Sequence, residues 1–447
     1  MQFQSTLAYL KDPPDGYQQP PIDVLEVLDQ IKKNVTAGVY PNQYTFEADV
    51  QLLVNRMHDS HVTLNAGILK AFSFVSPLGI FSASVDGKKP PGVYIVDKHL
   101  FESHPDGWVP EPVIKINGQD VVEYLTHHSE SNSDGYLEPH ADWNSLMDHP
   151  ATWMRGDFSI FQSGTLYPGS TLNFTYENGT TIDTYWLSFY NALEDTGPLT
   201  TAGDFYNYFV LGLRPASYNP DVPWWPTLPV DDTPAVVSNV TYSYQSACVS
   251  GSPASNNWCL ASYGAYPNDP VVVQNELAKP GGGIVTGYFL NDINTGVLSI
   301  PSFLQHDSSI DDFETTIGTF IVNATEKKIS RVIIDLSQNT GGTVLLAIST
   351  FKQFFYGMHP YAASRIRSHE AANLLGGAFS EWWKELESNL GPEDSENRVN
   401  YEYAAAEEWV ALNRINPSTG RRFASWAEYY GPLLEHGDAF TLAVSAL

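Results

Sequence analysis

Residues 331–343, RVIIDLSQNTGGT, carry the strongest indication of how this chain folds. The apolar run at 332–336 predicts a fully buried strand. Gly341 and Gly342 follow it, and an apolar stripe at 343–355 predicts a helix that Gly357 ends. A strand, a glycine turn and a helix in this order predict an α/β unit whose parallel sheet is covered by helices.

The glycine turn lacks the features of a phosphate-binding loop. No lysine follows Gly341 and Gly342 as in a Walker loop, and the three-glycine spacing of a dinucleotide turn is missing. What remains is a helix N-terminus whose backbone N–H groups lack intrahelical partners and can be approached closely, because glycine has no Cβ. Such amides suit the oxyanion of an acyl-transfer reaction. A tight turn alone explains the same residues, so both interpretations stay open.

Outward from this stretch, the pattern alternates between strands and helices. GVLSIPSFL at 296–304 predicts an extended segment, and Ser309 is placed to cap a helix with an apolar stripe. Further upstream, the prolines of residues 218–234 forbid regular helix or sheet interiors and indicate a linker or surface loop.

Two helices are predicted near the N-terminus. The first has apolar residues at helical spacing over 22–35, and Gly38 is placed to end it. The second has an apolar stripe over 46–57 that Thr45 can cap. It ends at the sequence HDSH, residues 58–61, and the alternating HVTLNAG that follows predicts a strand. His61 therefore lies where a helix gives way to a sheet.

Residues 72–190 predict a small β-rich unit with an acidic insertion. VIKINGQDVVEYL at 113–125 predicts a strand, a turn at Asn117–Gly118 and a helix, and residues 171–187 predict a hairpin that turns at Asn178–Gly179. The first of these segments resembles the central part of PDZ domains, in which a strand, an Asn-Gly turn and a helix occur in the same order.

Composition limits the function classes. The chain has 447 residues, 43% of them hydrophobic, and a formal net charge of -28. It is therefore expected to be globular, and its charge argues against nucleic acid or anionic lipid as a partner, because both would be repelled. No apolar run has the length needed to cross a bilayer, and the first residues have neither a basic region nor an apolar region typical of a signal peptide.

The cysteines and glycosylation sequons give weaker signals. Cys248 and Cys259 lie close together in ACVSGSPASNNWC, where they can form a disulfide in an oxidising compartment or remain two thiols. Sequons occur at five positions, about as many as the Asn, Ser and Thr content produces by chance. These candidate glycosylation sites are Asn34, Asn173, Asn178, Asn239 and Asn323.

No metal or cofactor site is predicted. His58 and His61 have the i, i+3 spacing of a ligand pair, but no third ligand is spaced near them. His369-Glu370 lacks the second histidine of a zinc-protease helix.

The order of the motifs resembles the tail-specific (C-terminal-processing) serine protease family. GVLSIPSF, then VIIDLSQNTGGT and an apolar helix, are similar to the core of that family. Asp59-Ser60-His61 before an inserted PDZ-like unit, and the tail motif INPSTGRRFASWAEYYGP, are similar to its fungal secreted branch, which is related to the chlamydial protease-like activity factor. The resemblance implies that His61 is the general base and that Gly341 or Gly342 donates to the oxyanion, with Asp59 and Asn339 in support.

The resemblance also implies a domain order within the α/β class. We expect a helical N-terminal region at 1–71, a PDZ-like domain with an insertion at 72–215, a Pro/Trp-rich linker and cysteine loop at 216–283, and a protease core at 284–447. It implies a secreted serine endopeptidase acting on polypeptides without a cofactor. It does not indicate an oligomeric state.

The nucleophile is the point at which this sequence departs from the family. The family's serine lies beyond the tail motif at a strand-to-helix junction, and Ser445 has no following helix to match it. We therefore expect these residues to be incomplete as a protease and inactive alone. A non-catalytic binding protein on the same fold is the alternative, supported by the PDZ-like unit and by aromatic loops that include Trp224, Trp225, Trp382 and Trp383. Carbohydrate hydrolysis is disfavoured because no carboxylate pair stands out.

Overall fold

The structure is a computed structural model that divides into two compact units. Unit 1 contains Met1–Asp29 and His359–Leu447, and unit 2 contains Gln30–Met358. The structure describes residues 1–64, 67–96, 104, 108–191, 199–214, 248, 255–279, 282–306, 309–358, 360, 363–389, 401 and 409–445. Trp224, Trp225, Asn239 and much of the predicted linker lie outside the described residues.

The described secondary structure mixes helices and strands, which confirms the predicted α/β class. The α-helices are α1 Leu7–Lys11, α2 Val24–Thr36, α3 Gln43–Asn55, α4 Val121–Asn132, α5 Pro139–Ser145, α6 Pro150–Arg155, α7 Ala202–Phe209, α8 Ser309–Glu326, α9 Val344–Phe354, α10 Glu370–Ser388 and α11 Trp426–Tyr430. The strands are β1 Phe72–Val75, β2 Gly79–Ala83, β3 Gly92–Val96, β4 Val113–Ile116, β5 Gln119–Asp120, β6 Thr171–Tyr176, β7 Thr181–Tyr185, β8 Leu187–Tyr190, β9 Val272–Val273, β10 Thr286–Leu290, β11 Thr295–Ser299, β12 Arg331–Asp335, β13 Ala363–Ser364, β14 Ile415–Asn416, β15 Arg421–Arg422, β16 Leu433–Glu435, β17 Asp438–Phe440 and β18 Val444–Ser445.

Unit 2 contains a β-rich part built on antiparallel strands. Its sheet has the order β2-β3-β4-β6-β7, with β5 paired to β4. Ile116 pairs with Gln119 across the Asn117–Gly118 turn, as the sequence predicts, and β6 and β7 form the predicted hairpin. Asn117 and Gly118 both have positive φ, which an Asn-Gly pair tolerates. The sheet and α4 enclose one core, which includes Ile80, Ile116, Leu125, Phe161, Leu172 and Phe174.

A second sheet in unit 2 leads to the glycine turn. Its order is β12-β11-β10-β9, and β11 and β12 are parallel whereas the other pairs are antiparallel. The sheet is thus mixed, with the predicted parallel pairing confined to β11 and β12. Helix α8 packs its apolar stripe, including Phe313, Ile317 and Phe320, into the core beside β11.

The predicted burial of strand β12 is wrong. Val332 is 37% exposed, Ile333 47% and Ile334 37%. The prediction failed because of the strand's position. Among the described strands β12 lies at the edge of its sheet, so its apolar side chains are exposed although its sequence is typical of a buried strand.

The predicted cap of helix α3 is also wrong by three residues. The helix begins at Gln43, and the Asn42 side chain accepts a hydrogen bond from the N–H of Thr45 at 3.0 Å. Asparagine is a strong N-cap residue, and Thr45 lies in the first turn. The apolar stripe is confirmed on one face, where Leu53, Val54 and Met57 are buried.

Unit 1 is organised around α10 and α11. The indole ring of Trp426 packs directly on α10 at Gly376, where a Cβ would lie 2.0 Å from the ring. The indole Nε1 donates to Asn373 Oδ1 at 3.0 Å. A small four-stranded sheet, β13-β18-β14-β15, and the hairpin β16–β17 complete the described part of the unit.

Cys248 and Cys259 form a disulfide, with their Cα atoms 5.7 Å apart. Among the described residues, no helix is both long enough and apolar enough to cross a membrane.

Candidate active site

His61 lies on an exposed loop just after helix α3. Its side chain is 95% exposed and its Nδ1 lies 3.3 Å from Asp59 Oδ1. The same carboxylate oxygen accepts the backbone N–H of His61 at 3.0 Å. The Asp-x-His spacing therefore forms a local turn in which one carboxylate both fixes the backbone and contacts the imidazole.

His58, three residues earlier, has a different environment. It is partly buried in a left-handed backbone conformation with φ of 50°. Burial lowers the pKa of its imidazole, and the nearby Asp142 carboxylate opposes that effect. Within the described part of the chain, no group of histidine, cysteine and carboxylate side chains is arranged to hold a metal ion.

The glycine turn is attached by its backbone to the segment after β11. Phe303 donates its N–H to the carbonyl of Gly341 at 2.8 Å, and Thr343 donates to the carbonyl of Phe303 at 3.0 Å. Gly341 has φ of 83° and Gly342 has φ of 131°, both in the region that favours glycine. A Cβ on Gly342 would lie 2.2 Å from the carbonyl carbon of Phe303, so the close approach requires glycine.

Asn339 fixes the turn from within. Its Nδ2 donates to the carbonyl of Ile300 at 2.7 Å, and its Oδ1 accepts the N–H of Gly341, also at 2.7 Å. The amide of Gly341 is therefore already engaged. Gly342 is exposed, and its N–H has no acceptor among the described residues. Of the two glycines predicted as oxyanion donors, Gly342 is the one whose amide is open.

Arg155, at the end of α6, also holds the turn, and it was not anticipated from the sequence. Its Nη1 donates to the carbonyl of Gln338 at 2.8 Å and to the carbonyl of Pro301 at 3.2 Å. Its Nε pairs with Asp157 at 2.6 Å, and its side chain is only 10% exposed. One guanidinium thus joins the residue before Asn339 to the segment after β11.

A cavity of about 520 Å³ lies beside the segment that follows His61. Residues 62–64 form part of its wall, together with Asn55 from α3 and Phe209 from α7. Lys70 and Asp134 bring opposite charges to the lining, and burial raises the pKa of the Asp134 carboxyl. The volume is within the range of small-ligand or side-chain pockets.

The described contacts form two separate groups. Asp59 is joined to His61, and Asn339 to Gly341, but no described hydrogen bond or ion pair connects the His61 loop to the glycine turn. Ser445 lies in β18, where its backbone pairs with Ala363 and Ile415.

Comparison with known proteins gives consistent matches. The family model of the CPAF-like PDZ domain matches residues 73–194. Two curated proteins of Diaporthe leptostromiformis, the peptidase S41 family proteins phomP1′ and phomP1, are 25% and 24% identical over 440 residues, which is 94% of this chain. A third, the peptidase S41 family protein ustP of Aspergillus flavus, is 27% identical over 171 residues, 38% of this chain and 32% of its own length.

The chain is related to the tail-specific proteases. The resemblance inferred from its motifs is thereby confirmed, and the matched PDZ-like region contains the Asn117–Gly118 and Asn178–Gly179 turns. The chain spans 58% of the length of each of the two Diaporthe proteins.

The structure shows how each candidate is held: His61 by a local carboxylate, and the glycine turn by Asn339, Arg155 and the segment after β11. These two elements are the starting points for a mechanism.

Proposed function

We propose that this chain provides the general base and the oxyanion hole of a secreted serine endopeptidase that acts on polypeptides. The observation that carries this proposal is the glycine turn at the start of α9, where Gly342 presents an exposed N–H with no acceptor among the described residues. The relationship to the tail-specific proteases supports peptide-bond hydrolysis as the reaction.

In the proposed mechanism, His61 takes the proton of a serine hydroxyl as the serine oxygen attacks the peptide carbonyl carbon. The carbonyl π electrons move to oxygen, and the N–H of Gly342 donates a hydrogen bond to that oxyanion. His61 then gives the proton to the leaving amine, and water hydrolyses the acyl-enzyme by the same steps. Losing one oxyanion donor typically slows such a reaction on the order of 10²–10³-fold.

Asn339 and Arg155 have positioning roles in this proposal. Each fixes the backbone on one side of the turn, so that the Gly342 N–H is oriented before substrate binds. A donor that is already oriented does not reorganise as charge develops, which is the main source of its catalytic effect.

We propose that the nucleophilic serine comes from a part of the protein other than the described residues. The imidazole of His61 contacts Asp59, and no described serine hydroxyl hydrogen-bonds to it. We therefore propose that the 447 residues do not cleave peptides on their own. The cavity beside residues 62–64 would hold a substrate side chain close to the reacting bond.

The test is labelling by a fluorophosphonate probe. We expect no labelling of the 447-residue chain. A fusion to the part of phomP1 that the match leaves uncovered is expected to be labelled at a serine in the added part. His61→Ala should abolish that labelling, whereas His127→Ala, at another exposed histidine, should leave it unchanged. A serine labelled within the 447 residues would contradict the proposal.

The alternative function is peptide binding without hydrolysis. It is favoured by the engaged amide of Gly341 and by a His61 without a described nucleophile. Isothermal titration calorimetry with peptides from a library, followed by mass spectrometry of the bound peptides, distinguishes binding from hydrolysis. Tight binding by the chain, with an unlabelled fusion, would favour the binding protein.

A further inference from the structure

Helices α5 and α6 together hold Gln338, the residue directly before Asn339. Gln338 Nε2 donates to the carbonyl of Asn144 in α5 at 3.1 Å, and the carbonyl of Gln338 accepts from Arg155 Nη1 at 2.8 Å. Gln338 has φ of 54°, a left-handed conformation that is uncommon for a residue with a side chain and persists where the surrounding structure imposes it. The conformation at the start of the glycine turn therefore depends on where Asn144 and Arg155 lie.

His149 lies between these two helices and caps α6. Its Nδ1 accepts the N–H of Ala151 at 3.1 Å, and its own backbone N–H donates to Thr152 Oγ1 at 3.2 Å. Pro150 follows at the first helical position, where proline is favoured. The N–H of Ala151 is one of the amides for which a helix has no partner of its own, so the imidazole supplies an acceptor that α6 otherwise lacks.

The cap and Arg155 lie close together because α6 is short. The helix has six residues, so its two ends are less than two turns apart. A helix of this length is not stable by itself and relies on its caps and its packing. Ala151 and Met154 provide packing, in a core that also contains Trp258 and Tyr288. The cap fixes the first turn, and with it the direction in which the Arg155 side chain leaves the helix.

Only a neutral imidazole can form this cap. Nδ1 of His149 accepts the hydrogen bond through its lone pair, and protonation converts Nδ1 into a donor that faces the N–H of Ala151. The helix dipole also disfavours a positive charge at a helix N-terminus. Protonation of His149 therefore removes the cap.

The surroundings of His149 determine how easily it is protonated. Burial lowers the pKa of its imidazole, the Asp335 carboxylate at the end of β12 opposes that shift, and the Arg155 guanidinium adds to it. The carboxyl of the preceding residue, Asp148, lies against Gly79 of β2, and burial raises its pKa. The imidazole of His149 is therefore neutral above about pH 6.5, and the cap is formed there.

We propose that His149 is a positioning residue for the glycine turn, because its neutral imidazole caps α6 and so keeps Arg155 bonded to the backbone before the turn. Protonation of His149 releases the turn, which makes the orientation of the Gly342 N–H depend on pH. This role rests on the proposed function, in which the Gly342 N–H binds the oxyanion. A protease that uses this N–H would lose oxyanion stabilisation in acid.

Proton linkage gives the direction and the size of the effect. In the released state the imidazole of His149 meets solvent and has its ordinary pKa near 6.5, whereas the capping imidazole has a lower one. The released state therefore binds more protons below about pH 6.5, so stability of the capped state is present above that pH and is lost as the pH falls. At about pH 5.5 the shift toward the released state is at most about tenfold, because that pH lies one unit below the ordinary pKa.

Hydrogen exchange of the 447-residue chain at about pH 7.5 and 5.5 tests this role. The reporters are the amides of Phe303, Gly341 and Thr343, whose acceptors lie in the turn and in the segment after β11. We expect their protection, corrected for intrinsic exchange rates, to fall severalfold in acid and by at most about tenfold. In His149→Asn the side-chain oxygen can cap α6 and does not titrate, so protection should stay high at both pH values. The wild-type pH dependence in His149→Asn would overturn the proposal.

Three further variants separate positioning from a general loss of structure. His140→Asn replaces an exposed histidine of α5 and should keep the wild-type pH dependence. His149→Ala removes the cap and should lower protection of the reporter amides about three- to tenfold at both pH values, as loss of an N-cap does. In an Arg155→Met background, His149→Ala should have no further effect, because its influence on the turn passes through Arg155. Unchanged protection in His149→Ala, or a full effect in the Arg155→Met background, would contradict this role.

Hydrogen exchange and fluorophosphonate labelling distinguish this role from the proposed function. An unlabelled fusion protein with the expected exchange pattern would overturn the proposed function and leave the effect of His149 on the turn in place. A labelled fusion protein whose glycine turn exchanges independently of pH would overturn the role of His149 and support the proposed function. Where both are correct, the labelling rate should fall less steeply in acid for His149→Asn than for the wild type.

Discussion

The glycine turn and the His61 loop differ in how they are held, although both belong to the candidate active site. The turn is fixed by Arg155, by Asn339 and by the backbone of Phe303, which come from three parts of the chain. The His61 loop relies on Asp59, two residues away. The proposed oxyanion donor is therefore oriented by tertiary structure, whereas the proposed base is positioned mainly by local structure.

Replacing Gly342 is expected to cause the largest loss of stability among the changes to these two regions. We expect Gly342→Ala to destabilise the protein by about 4 kcal/mol, because its Cβ meets the Phe303 backbone at 2.2 Å and its φ is 131°. Gly341→Ala enters open space at φ of 83° and should cost about 1–2 kcal/mol. Thermal unfolding followed by circular dichroism measures both. Equal losses would mean that the turn is not tightly packed on the segment after β11.

Replacing Arg155 should make the backbone of the glycine turn more mobile without obstructing the Gly342 N–H. Arg155→Met keeps most of the side-chain length but removes both hydrogen bonds to backbone carbonyls, with an expected loss of about 2 kcal/mol. Hydrogen exchange should become faster at residues 338–343 and stay unchanged at residues 58–62. Arg56→Met, at an exposed arginine near the His61 loop, is the matched control. Unchanged exchange in the turn would show that Asn339 and the backbone of Phe303 suffice to hold it.

Local elements of this fold were predictable because their signals are local. The Asn-Gly turns at 117–118 and 178–179 and the apolar stripe of α3 needed only neighbouring residues. The cap of α3 was misplaced because Asn42 and Thr45 are both acceptable caps by composition, and the structure selects the former.

Contacts between distant parts of the chain were not predictable in the same way. Arg155 is separated from Pro301 by 146 residues and from Gln338 by 183, and no local pattern marks it. The exposure of β12 depends on its place at the edge of the sheet, which its apolar sequence does not encode. For the site, the sequence indicated His61, Asp59, Asn339 and both glycines, but not which glycine amide is open.

Acidification should lower the local stability of the His61 loop. Burial holds the pKa of His58 below its usual value near 6.5, so the folded state binds fewer protons than the unfolded state just below that pH. Stability from neutral His58 is present above about pH 6.5 and is lost as the pH falls. Exchange protection at residues 58–62 should therefore drop between about pH 7.5 and 5.5.

The control is His58→Asn, which does not titrate and suits a left-handed backbone. Its exchange protection at 58–62 should not depend on pH in that range. Persistence of the pH effect would assign it to a group other than His58.

The smallest expected effect on stability is at Asp59. Asp59→Ala removes an exposed contact to the imidazole and one backbone hydrogen bond, which together are worth about 0.5–1 kcal/mol.

The rate of fluorophosphonate labelling should respond more strongly to Asp59→Ala than stability does, because an exposed imidazole without this carboxylate samples many orientations. In the fusion protein, Asp59→Ala should slow fluorophosphonate labelling by roughly 10–100-fold. Asp59→Asn keeps an oxygen that can accept the His61 N–H, so rapid labelling by Asp59→Asn but not by Asp59→Ala would assign Asp59 a role in loop geometry. Slow labelling by both would assign the effect to its charge, and unchanged labelling by both would show that His61 is positioned by other means.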